Sequence, residues 1–166
     1  MDEKQIRRDR LRYSKNKTSS GLALLAIVLN VFYFVSIYRS DIGNYYYTWL
    51  TGVSIVFNLV FMLTVFLCSE GVKNYHNGYS VTLIVVGMIQ FIRTQIIPKK
   101  AFEAVVVLAD QETKVMTAGQ HTRIIIYLVA SGTLLILAGV IGLIKTATLR
   151  TYERELGAKT AAKEII

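Results

Sequence analysis

Four apolar stretches, almost free of charge and each about long enough to cross a bilayer, dominate this chain of 166 residues. A helix needs about 20 apolar residues to span roughly 30 Å of hydrocarbon. The stretches at 20–38, 49–68, 79–97 and 124–144 meet that requirement, and Arg93 is the one charge inside them. Lipid offers no partner for backbone polar groups, so an open segment crosses it only as a helix. A transmembrane β-barrel would need alternating segments of about 10 residues, and the sequence has none. The expected fold is therefore an all-α membrane protein, a four-transmembrane-helix bundle.

The charges are confined to the ends and connections. They divide the chain into a basic N-terminal tail (1–19), a transmembrane domain (20–144) and a C-terminal helix and tail (145–166). Basic residues set orientation. Lys4, Arg7, Arg8, Arg10, Arg12, Lys15 and Lys17 lie in the N-tail, with Lys73 in the middle connection. Lys145, Arg150, Arg154, Lys159 and Lys163 join them from the C-terminal tail. Thirteen cations thus fall on one side against six on the other, where Arg39, Arg93, Lys99, Lys100, Lys114 and Arg123 lie. Both termini are expected in the cytoplasm, with the plasma (inner) membrane as the location. Asn16-Lys17-Thr18 has the form of a glycosylation acceptor, but on this topology it stays inside.

The first apolar stretch exceeds the usual signal-peptide core, and Ile37, Tyr38, Arg39 and Ser40 stand where small cleavage-site residues belong. It reads as a retained anchor. Tyr45, Tyr46, Tyr47 and Trp49 form an aromatic cluster suited to the headgroup layer. Asn77-Gly78 is a turn signal before the third span, and Pro98 with Lys99 and Lys100 should close that span. Short connections favour an up-down-up-down arrangement.

The second outer loop, 99–122, is long enough to carry structure of its own. Val105, Val106 and Val107 favour a strand. Asp110-Gln111-Glu112 would turn it back toward Val115-Met116-Thr117, giving a small extracytoplasmic β-hairpin, with a short helix as the alternative. Its apolar residues need a headgroup layer or another protein to lean on. After Ile144 the last helix should continue as a cytoplasmic extension. Leu149, Tyr152, Glu153 and Leu156 follow a helical stripe, Glu155 and Lys159 form an i,i+4 pair, and Gly157 is a plausible stop.

Each span carries a stripe of small or weakly polar residues, the way membrane helices pack. Ala23, Ala26, Asn30 and Tyr33 share a face of the first, and Thr51, Ser54 and Asn58 a face of the second. The third has Gly87, Gln90 and Thr94, and the fourth has Ser131, Ala138 and Gly142 with Gly132 and Gly139 beside them. Asn30, Asn58 and Gln90 read as hydrogen-bonding contacts between helices, or as the lining of a polar path. Arg93 reads as a snorkelling anchor or as the partner of an acid on another subunit, with Glu103 and Asp110 as competitors within the chain.

No phosphate-binding loop, G-x-S-x-G or H-E-x-x-H motif occurs, and His76 and His121 lack further ligands at useful spacing. Cys68 is the lone cysteine, so no intrachain disulfide forms, and it reads as a small apolar helix residue. Neither an enzyme, a cofactor, a metal nor nucleic acid is expected. The expected partners are the lipid bilayer and other membrane subunits, or further copies of the chain. Arg93, Val105, Val107, Leu149, Tyr152 and Leu156 are the candidate partner contacts. The expected role is a non-catalytic accessory subunit of a larger membrane complex, most naturally a transport system. A small homo-oligomeric carrier or channel, or a sensor or scaffold signalling through its tails, is the alternative.

Overall fold

The computed structural model describes residues 6, 9–10, 13–38, 48–103, 105–108, 111–114 and 116–164. The aromatic cluster at 45–47 lies outside them, as do the side chains of Trp49, Thr51, Val105, Val107 and Lys159. Four helices carry the fold: α1 (Lys17–Tyr38), α2 (Thr48–Lys73), α3 (Asn77–Glu103) and α4 (Ala118–Glu164). All four are long and apolar enough to cross a membrane. Between α3 and α4, β1 (Val105–Leu108) and β2 (Gln111–Lys114) pair antiparallel with Leu108 opposite Gln111. The second strand therefore begins at Gln111, four residues earlier than the stretch from Val115 to Thr117 that the sequence favoured.

Each helix packs against its neighbours in the chain, and α4 closes the ring against α1. The α3–α4 and α1–α4 contacts are the most extensive. Buried apolar residues form one core: Ala23 and Ala26 from α1; Phe61, Val65, Cys68 and Val72 from α2; Leu83 from α3; Leu135 and Ala138 from α4. Around it the usual soluble pattern is inverted. Val56, Leu63, Met88, Ile92 and Ile126 are exposed, while Asn30, Asn58, Gln90 and Ser131 are buried. A continuous apolar exterior around a polar interior is what a lipid solvent selects.

Glycines bring α3 and α4 together. A methyl group at Gly87 would sit 2.9 Å from the Gly132 carbonyl oxygen, and one at Gly132 would sit 3.1 Å from the carbonyl oxygen of Gly87. At Gly139 it would lie 2.6 Å from the Ser80 carbonyl oxygen, and at Gly142 it would strike the Ser80 hydroxyl. Backbone thus meets backbone along the seam, in the manner of small-residue packing in membranes.

Three boundaries differ from the sequence reading. Pro98 does not end α3, which runs on to Glu103. Proline removes the hydrogen bond to the carbonyl of Thr94, a loss that membrane helices accommodate by local adjustment. The Asn77-Gly78 pair forms the start of α3 rather than the turn. The turn is built on Tyr75 at φ 60°, with Tyr75 N–H donating to the Val72 carbonyl and His76 N–H to that of Gly71. Those two bonds define a Schellman cap, whose left-handed position favours glycine. Tyr75→Gly should therefore raise stability by about 0.5–1 kcal/mol, read as a higher midpoint in a detergent melt. Finally, α4 passes through Gly157 and continues to Glu164, 47 residues in all. A single glycine costs a helix only about 1 kcal/mol, too little to stop one already extended by its neighbours.

Candidate functional site

The polar stripes of three helices meet near the middle of the bundle. Gln90, the midpoint of α3, donates from Nε2 to Asn30 Oδ1 on α1 at 3.1 Å, and both side chains are fully buried. One turn further, Arg93 donates from Nη2 to Asn58 Oδ1 on α2 at 2.7 Å. Asn58 Nδ2 in turn donates to the Ser54 carbonyl of its own helix at 3.1 Å. The guanidinium carbon lies 4.4 Å from the centre of the Tyr33 ring and 5.0 Å from that of Phe57. Ring faces carry negative quadrupole density, and the contact strengthens when water is excluded. Ser131 on α4 adds a fourth helix by donating to the Ala26 carbonyl at 3.1 Å.

Arg93 is only 4% exposed. The sequence readings turned it outward, to headgroups or to an acid on another subunit; within the chain it points into the bundle. The outward face of α3 at this level belongs to Ile92 and Ile96, both exposed. Gln90, Arg93 and Thr94 share the inward face at i, i+3, i+4, where an amide oxygen and two aromatic rings receive the charge. Sequence reasoning missed the Tyr33 and Phe57 contacts. The signal was there for Tyr33, which stands three residues after Asn30 on the same stripe.

A second polar centre caps the opposite end of the bundle. Asn16 is 1% exposed and touches three segments. Its backbone N–H donates to the Lys73 carbonyl at the end of α2 at 3.0 Å. Its side chain caps α1, with Nδ2 donating to Ser19 Oγ at 2.9 Å and Oδ1 accepting from Ser19 N–H at 3.4 Å. Lys145 Nζ on α4 donates to Asn16 Oδ1 at 3.0 Å and to Thr18 Oγ1 at 3.2 Å. Read only as a glycosylation acceptor, Asn16 hid its other meaning, an N-cap directly before an apolar run.

Beyond this end, α4 carries the stripe proposed for partners. Tyr152 is buried, and its hydroxyl donates to Asp9 Oδ1 at 2.7 Å. Leu149 and Leu156 are half-buried on the same face. Tyr152, within that stripe, is therefore engaged by the chain's own N-tail. Lys73 and Glu70 pair within α2 at 2.9 Å. At the hairpin end, Thr117 and Gln120 form a capping box at the start of α4, Gln120 Oε1 accepting from Thr117 N–H at 3.1 Å. Phe102 and His121 stack across the α3–α4 ends with ring centres 4.4 Å apart. Among the described residues no group of three His, Cys, Asp or Glu side chains gathers as a metal would require.

Fold and interior together define a multi-pass helical membrane protein. No family model matches the chain, and no curated protein or solved structure shows significant similarity to it.

Proposed function

We propose that the chain is a non-catalytic accessory subunit of a larger membrane complex, with transport systems the natural setting. The reading is carried by α4, which continues for 20 residues past Ile144 to Glu164, an arm of about 30 Å. An arm of that length reaches well beyond the headgroups, to where other chains are met. The polar interior supports the same reading, because Gln90 is spent on Asn30, Arg93 on Asn58 and Ser131 on Ala26. Side chains that bond helices to one another fix a scaffold. The basic residues of the tails support a topology with both termini in the cytoplasm and the β1–β2 hairpin outside.

One observation favours a small homo-oligomeric carrier instead. Asn30 Nδ2 and Gln90 Oε1 are buried at mid-depth, and neither atom has a hydrogen-bond partner in the structure. Gentle purification separates the two readings. An accessory subunit brings other polypeptides at fixed ratio. A homo-oligomer that moves solute after reconstitution overturns that reading in favour of the carrier. For orientation, single cysteines at Asn44 and Thr113 should react with an impermeant thiol reagent added to intact cells, and ones at Tyr13 and Ala158 should not. Labelling at Tyr13 from outside would reverse the topology.

A further inference from the structure

Cations from three separate stretches of chain converge on Asn16. Lys15 and Lys17 flank it in sequence and are exposed. Lys73 meets it through the backbone bond at 3.0 Å, and Lys145 through the side-chain bond at 3.0 Å. Four lysines thus stand at one end of the bundle, the ammonium of Lys145 on Asn16 and that of Lys73 on Glu70. Among the described residues, Glu70 is the carboxylate beside them, already on Lys73 at 2.9 Å, and Asp9 is held by Tyr152. Glu153 and Glu155 on α4 lie eight and ten residues past Lys145, about 12 Å or more along the helix. Repulsion among the four lysines is relieved only in part, and the unrelieved charge is close to three.

We propose that this cluster is a binding site for an anionic phospholipid whose headgroup carries two phosphates. Depth selects lipid over a soluble ion. Lys17 opens α1, Lys73 closes α2, and Lys145 directly follows the apolar part of α4, so all stand at the level where phosphates of a bilayer lie. Charge selects two phosphates over one, since a single phosphodiester neutralises only one of the three positive charges left over. Basic pockets between helix ends take such headgroups elsewhere by the same electrostatics.

The test uses the purified full chain in a non-ionic detergent. Binding is measured by native mass spectrometry and by the unfolding midpoint as four probes are added: phosphatidylcholine, phosphatidylglycerol, cardiolipin and inorganic phosphate, the anionic lipids matched in total charge. Cardiolipin should bind saturably and raise the midpoint more than the other three. Lys15→Gln with Lys17→Gln should weaken that binding about 30-fold, roughly fivefold per cation, while the paired arginine variant keeps it. These two lysines are exposed, so the lipid-free melt of the variant should match the parent. Equal stabilisation by phosphatidylcholine, or unchanged cardiolipin affinity in the glutamine variant, overturns the site. Equal affinity for phosphatidylglycerol overturns the two-phosphate requirement, and equal protection by inorganic phosphate overturns the lipid.

Discussion

Asn58→Leu should destabilise the bundle by about 1.5–3 kcal/mol, whereas removing Arg93 together with Asn58 should cost less. In the single variant a buried guanidinium loses the amide oxygen that accepts from it at 2.7 Å. Losing a hydrogen bond to a charged group costs about 1.5–3 kcal/mol, while replacing both partners with apolar residues of similar shape is often close to neutral. Arg93→Leu alone falls between, because it leaves a neutral amide oxygen without its donor, at about 1–3 kcal/mol. The order expected in steric-trap or detergent-melt measurements is therefore Asn58→Leu worst, Arg93→Leu next, and the Asn58→Leu/Arg93→Leu double variant mildest. A double variant at the sum of the singles would mean that the two residues do not act on one another.

Gly139→Leu is expected to be as damaging, for a steric reason. The first side-chain carbon alone would come within 2.6 Å of the Ser80 carbonyl oxygen and of Ile84. The obstructing atom is backbone, which cannot rotate away, so α3 and α4 must separate along the seam. Overpacking typically costs 1–3 kcal/mol, and a leucine that also splits the Gly87–Gly132 contact belongs at or above the upper end. Gly52→Leu is the control, since nothing lies within 4 Å of its added carbon. The same measurement should find Gly52→Leu within about 0.5 kcal/mol of the parent.

Much of this was legible because lipid makes the rules severe. Apolar runs of span length located the four helices, and the small-polar stripes located their inner faces. Ala23, Ala26, Asn30 and Tyr33, read as one stripe, are all fully buried. Gly132 and Gly139, noticed beside the small face of the fourth span, sit in the α3–α4 seam. What failed was anything that depended on which helix faces which. Reading Arg93 as a snorkelling anchor or a partner contact needs its rotation about the helix axis, which the sequence of α3 alone does not give. The Asn58 oxygen that fixes its direction lies 35 residues away. The Asn16 centre failed for a similar reason, since its partners Lys73 and Lys145 come from two other helices, 57 and 129 residues along the chain. Local rules also overstated two stops, Pro98 and Gly157, where a helix already committed on both sides carried through.

The unbroken course of α4 gives the molecule a lever. A rod that starts beside the hairpin and ends about 30 Å past the bundle cannot tilt at one end alone. Membrane helices change tilt as bilayer thickness changes, and a change of roughly 10° at the seam swings the far tip by ~5 Å. Two ties oppose the swing, Lys145 to Asn16 near the fulcrum and Tyr152 to Asp9 partway along the arm. The nearer tie bears on the pivot and the farther one on the stroke. Any tilt of the bundled part of α4 therefore loads both ties at once.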